Sequence, residues 1–427
     1  MSDTTEHCHL PLTVGDRILA LHARKVKHAA HAQIAAVARI PRPAPNRTEY
    51  ERLVREATAR APVLRYRVTG TGWRSRFGPD PRFNPLRHLE FVHALPGRAA
   101  EQCLQEARGR PLPKGSPLWS LQVVHGYAPN EHIVCLRMEH TMFDGMGALQ
   151  VLAAFFAARN LPAPSPQPPP DFPPLSVIRR TLPPLHQVAR PPARWLPAKP
   201  SRRHGLTHHT LTLDVTLYRD IKDRTGATTA QVSTAALAGA LRAWAPQHWG
   251  TPLARRQRHG LRTGMTLNVR HPLNPSPLGN HVGVLPVTLP CPEADPLLRL
   301  EQVMARVNQR KKDDYRRMCR YVNNLAPVPA WLLSRAVRSV TPLLPWNIGV
   351  TMMRGPGNRP TVDSLPLTLS GPVVLRPALG VVGFMAYRDA VAVTLTFDHM
   401  APAHVGRLAC LLPYALTELH ARVSGAA

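Results

Sequence analysis

Apolar and polar positions change rhythm along this chain, and the rhythm predicts its elements. Tyr50, Leu53, Val54 and Ala57 fall on one face at helical spacing. A helix is therefore predicted from a cap at Thr48, with Glu51 three residues on, to about Arg60. Leu64–Val68 and Phe91–His93 read as strands, and Arg98–Ala107 as a helix. Leu121–Val124 and His132–Met138 are apolar runs of strand length, and Met146–Ala158 reads as a largely apolar helix. The alternation resumes at His209–Val215, a strand, and Leu217–Thr225, a short helix stopped by Gly226. Thr228 or Thr229 caps the next helix. Met265–Val269 and Val282–Thr288 are predicted strands, and Leu297–Lys311 an amphipathic helix. Val373–Leu375, Gly383–Ala386 and Val391–Phe397 suggest strands, and Ala403–Arg422 a closing helix.

Between these halves the pattern breaks. Residues 161–205 hold Pro162, Pro164 and Pro166, then Pro168-Pro169-Pro170, Pro173-Pro174, Pro183-Pro184 and Pro191-Pro192. Proline removes backbone donors and resists helix or central strand, so this is read as a crossover linker. A short helix at Leu175–Leu182 or a membrane-touching patch at Trp195-Leu196 interrupts it. The predicted division is 1–160, linker 161–205, and 206–427. Strands interleaved with helices in both halves give an α/β fold class.

The most informative segment is Glu139-His140-Thr141-Met142-Phe143-Asp144-Gly145-Met146-Gly147. His140 sits where a strand ends. Asp144 follows four residues later, and Gly145 opens a helix. Imidazole, with an unperturbed pKa near 6.5, suits proton abstraction at neutral pH. A carboxylate can fix the loop around it, and a glycine permits close approach. A histidine at this spacing also occurs by chance, as a surface or core residue.

Context extends the reading. Pro117-Leu118-Trp119 precedes the segment; Ala227–Trp244 forms a long small-residue helix; Thr266-Leu267-Asn268-Val269-Arg270 and Leu278-Gly279-Asn280 follow; and Leu395-Thr396-Phe397-Asp398-His399 comes late. In this order they resemble the wax ester synthase/diacylglycerol acyltransferase family, within the superfamily of CoA-dependent acyltransferases and peptide-synthetase condensation domains. The chain departs from the family's pattern at several places. Glu139 stands where many members have a first histidine. Ala230-Gln231 stands for an Asn-Asp pair, and Thr351–Pro356 for a Ser-Asn-Val-Pro-Gly-Pro motif. Leu12–Asp16 only loosely resembles the opening.

The resemblance implies two similar acyltransferase-like α/β sandwich domains with an active-site tunnel between them. It implies His140 as general base, acyl-CoA as co-substrate and no further cofactor, with a hydrophobic alcohol as acceptor. It also implies that Asp144 points away from substrate and pairs with an arginine, Arg270 being the candidate. Gly145 supports the site, with backbone N–H groups near it for an oxyanion. Trp119 and Asn280 are candidate substrate-binding residues, although a core aromatic and a turn residue are the readings favoured for them. Glu139 should point to the opposite strand face. Two other functions stay open: a condensation-type transferase fed by an acyl carrier protein, forming an ester or amide, and a catalytically silent lipid- or partner-binding member.

The charge balance adds a partner question. Lys and Arg number 54 against 26 Asp and Glu, a net charge of +28. This suits CoA phosphates, an acidic carrier protein, or peripheral contact with an anionic membrane or lipid droplet. No helix-turn-helix or zinc-finger pattern occurs and aromatics are sparse, so nucleic acid is not expected. The six cysteines lack metal spacing and are read as reduced thiols; His7-Cys8-His9 is read as a tail rather than a metal site. No apolar run reaches the roughly 18 residues that span a bilayer, and no secretory pattern opens the chain, so a cytoplasmic protein is expected.

Overall fold

A computed structural model describes residues 9–24, 32–113, 115–168, 171–181, 201, 205–249, 261–325, 335, 348–355, 361–362, 365–366, 368–370, 380–386 and 390–425. Two mixed sheets dominate it. Near the N-terminus, helix α1 (Val14–Ala23) opens on a reciprocal cap between Thr13 and Asp16. Strand β1 (Gln33–Ile40), helix α2 (Arg47–Arg60), strand β2 (Leu89–His93), helix α3 (Ala100–Gly109), strands β3 (Trp119–Ala128) and β4 (Glu131–Glu139) and helix α4 (Gly145–Phe156) follow. Alternate residues of β1 serve two cores. Ile34, Ala36, Ala38 and Ile40 join α2 and α4, while Ala35 and Val37 join Cys103 and Ala107 of α3. A strand buried on both faces reads as a continuous apolar run, which is why β4 lacks alternation.

The C-terminal half starts with helix α5 (Leu175–Thr181), strand β5 (Leu206–Asp214), and helices α6 (Val215–Thr225) and α7 (Thr229–Trp244). Strands β6 (Leu261–Asn268) and β7 (Val282–Leu289), then helices α8 (Pro296–Arg306) and α9 (Gln309–Asn323), come next. Strands β8 (Ile348–Arg354), β9 (Thr368–Ser370), β10 (Gly380–Ala386) and β11 (Ala390–Asp398) precede the closing helix α10 (Pro402–Ser424). The larger sheet runs β7-β6-β8-β10-β11-β5. Helices α7, α8 and α10 bury Leu237, Leu241, Leu300, Val303, Leu412 and Leu416 with it.

A strand crosses the division between the halves. The smaller sheet runs β9-β1-β4-β3-β2, so a strand from beyond residue 206 pairs antiparallel with β1. The C-terminal half thus contributes an edge strand to the N-terminal sheet. Within the proline-rich stretch, α5 packs on α9 through the Arg180–Asp314 ion pair and the Tyr315 hydroxyl, which donates to Thr181 O. The Trp195-Leu196 patch and Val373–Leu375 lie outside the described residues.

Several expected boundaries move for reasons of capping. Asn46, not Thr48, caps α2: its side chain accepts from Thr48 N. The helix predicted over Leu297–Lys311 is two helices, because Asn308 accepts from Lys311 N and starts α9. At α7, Thr228 is the cap, with Gln231 reaching back to Thr228 N. So Gln231, which stands where the resemblance has the aspartate of an Asn-Asp pair, serves the helix end.

Candidate active site

The site lies at the seam between the sheets, built by two loops. One joins β4 to α4 and carries residues 140–144. The other joins β6 to β7 and carries Arg270 to His281. They are stitched together by backbone: Gly279 N donates to Met142 O at 2.7 Å, and Phe143 bridges Gly279 in parallel. Gly279 has φ +84°, a conformation that favours glycine.

Asp144 is the cap of α4, its carboxylate accepting from Gly147 N at 2.8 Å. Both its oxygens also accept from Arg270 Nη1, at 3.1 and 3.0 Å, and Oδ2 accepts from His281 N at 2.9 Å. Arg270 spends its other donors on Ser276 O, Pro277 O and Gly279 O. Burial alone would raise the Asp144 pKa, but Arg270 and the two N–H groups outweigh it and hold the carboxyl below its ordinary range. The arginine expected from the resemblance is therefore the one in contact. Gly147, which the sequence reading passed over, permits this packing: a Cβ there would meet Pro277 O at 2.2 Å. A Cβ at Gly145 would meet only the flexible Met353 Sδ, at 2.5 Å.

His140 contacts the same far loop one residue away, at Asn280. Its backbone N donates to Ala32 O at 2.8 Å, tying the end of β4 to the start of β1. Its Nδ1 lies 2.7 Å from Asn280 Oδ1. The orientation of that amide follows from its surroundings. Asn280 Nδ2 faces Asp16 Oδ1 at 3.0 Å, His140 O at 2.6 Å and Thr141 O at 3.0 Å. A group facing three oxygen acceptors is the NH₂, so the opposite atom is the carbonyl oxygen. An acceptor at 2.7 Å requires a proton on His140 Nδ1. The lone pair of the neutral ring then sits on Nε2. Burial lowers the His140 pKa, outweighing its own backbone carbonyl, the Asp144 charge and Asn280, and so favours the neutral ring. This gives Asn280 a role that the sequence reading, which took it for a turn residue or a substrate ligand, did not assign.

Other candidates fall elsewhere. Trp119 is 0% exposed, with its indole N–H donating to Leu64 O at 2.9 Å and its ring stacked on His88. It is a core residue of the N-terminal half. Of the Thr351–Pro356 segment, Pro356 lies outside the described residues. A cavity of about 850 Å³ opens among Arg55, Arg65, Arg67 and Phe83, away from the site residues; hydrogen-bond geometry rather than cavity size marks the site. Among the described residues no helix is long and apolar enough to cross a membrane.

Two α/β sheets with a His-x-x-x-Asp-Gly loop at their seam define a condensation-type fold. The starter condensation domain of rhizomide synthetase, solved as a mutant with C8-CoA and Leu-SNAC, superposes with a TM-score of 0.65 over 96% of this chain and 94% of that one, at 14% identity. The wax ester synthase/diacylglycerol acyltransferase of Marinobacter aquaeolei VT8 gives 0.62 over 97% and 100%, at 17% identity. Residues 16–269 match the wax ester synthase/diacylglycerol acyltransferase catalytic domain, and residues 278–420 the family's C-terminal domain. The chain belongs to that family. A Mycobacterium tuberculosis protein named "Putative diacyglycerol O-acyltransferase" is 24% identical over 62% of this chain and 62% of its own length. Another of the same description is 34% identical over 24% of this chain and 22% of its own length. The chain thus spans less than two thirds of these curated relatives.

Proposed function

We propose that the protein transfers a fatty acyl group from acyl-CoA to the hydroxyl of a hydrophobic acceptor, giving a wax ester or triacylglycerol type of product. The single observation that carries this reading is the His140–Asn280 contact, which leaves the Nε2 lone pair for a substrate proton. Nε2 takes the proton of the acceptor O–H as its oxygen bonds to the thioester carbonyl carbon. The tetrahedral intermediate then expels the thiolate, which recovers the proton from the imidazolium. The products are the ester and free CoA thiol, and the base is regenerated. Asp144 takes no proton in this scheme. It holds the loop through Arg270 and caps α4. The first turn of an α-helix leaves N–H groups without intrahelical acceptors, and those of Gly145 and Met146 are offered to the oxyanion.

Membership of the family and the arrangement of His140 support this reading, and the basic balance of +28 suits an anionic donor. A carrier-bound donor is the second reading, favoured by the likeness to condensation domains. The test is a transfer assay on purified protein, pairing palmitoyl-CoA with fatty alcohols, diacylglycerol and amines. Ester product with release of free thiol supports the proposal and names the acceptor. Turnover with an acyl carrier protein but not with acyl-CoA would favour the second reading.

A further inference from the structure

Asp16 lies 264 residues from Asn280 in sequence and against it in space. It is 0% exposed. Its Oδ1 accepts from Asn280 N at 2.6 Å and from Asn280 Nδ2 at 3.0 Å, while Oδ2 accepts from Thr13 N at 2.7 Å. Closing its α1 cap explains only the last of these bonds. The other two grip the residue that contacts His140, by backbone and by side chain together. A second clamp acts on the same residue: Asn323 Nδ2 donates to Asn280 O at 2.7 Å, and Gly15 N donates to Asn323 Oδ1 at 2.8 Å. The start of α1 and the end of α9 thus converge on Asn280.

We infer that Asp16 is a positioning residue for the base: through Asn280 it holds His140 in the tautomer that carries its lone pair on Nε2. Of the three oxygens around Asn280 Nδ2, two are peptide carbonyls, and only Asp16 bears an ionisable oxygen that also fixes the asparagine backbone. A carboxylate behind the amide polarises it, strengthening Oδ1 as an acceptor for the imidazole N–H. The arrangement has the logic of an acid orienting a histidine, with an asparagine interposed. No atom of Asp16 touches His140 in this scheme. Burial raises its pKa to about 6, as expected of a carboxyl held by N–H donors rather than by a guanidinium.

The inference rests on the proposed role of His140, so its first readout is independent of turnover. In protein labelled with ¹⁵N-histidine, the His140 ring, assigned by its loss in His140→Ala, is expected as the Nδ1–H tautomer. In Asp16→Ala both ring nitrogens are expected to move toward averaged values. An Nε2–H ring in the unmodified protein overturns the inference even if Asp16→Ala does not fold. A second readout uses catalysis. Asp16→Ala should lower kcat about 10-fold with KM little changed, and should lower it less than about 2-fold in an Asn280→Ala background. Equal losses in both backgrounds, or a rise in KM alone, would overturn it. A locked tautomer without any turnover would instead count against the proposed reaction and leave the positioning intact.

Discussion

Two buried carboxylates flank the same loop and are held by opposite means. Burial raises the pKa of both: at Asp144 a guanidinium and N–H groups outweigh it and the pKa is depressed, while at Asp16 hydrogen bonds alone offset it only in part and the pKa is raised to about 6. The first is a structural clasp between the halves, joining the β4–α4 loop to the end of β6. The second reaches the base only through an amide. Burial is alike in both, so the partner decides which charge state the fold favours. A carboxylate that must stay ionised is given an arginine. One that must accept hydrogen bonds without pulling on the base is given N–H groups.

Breaking the clasp should have the largest effect. Asp144→Ala leaves Arg270 buried without its counter-charge, a loss of about 3–5 kcal/mol, read as a fall in the denaturant midpoint or as insoluble protein. Arg270→Ala should do the same. An unchanged midpoint in both would refute the clasp. Next comes Gly147→Ala, which drives a methyl into Pro277 O and should cost about 1–3 kcal/mol by chemical denaturation. Gly145→Ala meets only the end of Met353 and should cost less than about 1 kcal/mol, because that side chain can turn away.

The two carboxylates also predict opposite pH dependence. Asp16 goes from an ordinary value of 3.8 to about 6, so between those values the folded chain binds the extra proton. Its contribution to stability therefore falls as pH rises through that window, by about 3 kcal/mol in all. Asp144 contributes stability above its unfolded value and loses it as pH drops through its lower folded value. Denaturation of Asp16→Asn across pH 4–7 isolates the first: the slope between pH 4 and 6 should flatten relative to the unmodified protein. An identical slope would mean that Asp16 does not titrate there. The smallest effect expected is kinetic. Burial lowers the His140 pKa, so the acid limb of kcat/KM should lie below the ordinary 6.5. A limb above that value would contradict a buried neutral base.

The same contrast separates what the chain revealed from what it hid. The Asp144–Arg270 clasp was legible because a motif and a strand-end arginine carry it, although 126 residues separate them. The alternating elements were legible from periodicity. Asn280 and Asp16 were not, since the meaning of each is a contact across 140 and 264 residues. Asn280 reads as a turn residue because it follows Gly279, and Gly279 does take a positive φ. The Asn280 side chain has the further task. Asp16 shows in sequence only as the end of Leu12–Asp16, the loose match to the family's opening, and an acidic residue in the first turn of a helix needs no other explanation. Gly147 was overlooked for Gly145 because close approach depends on Pro277, from the far loop. The pairing of β9 with β1 likewise joins segments more than 300 residues apart, and no local pattern announces it.

The central claim is that His140 takes the acceptor proton. Its most direct test is the rate of ester formation from palmitoyl-CoA by the purified protein and by His140→Ala, each shown to be folded by its thermal midpoint. The account predicts a loss of about 10²–10⁴-fold with the midpoint retained. Full activity in a folded His140→Ala protein would contradict it.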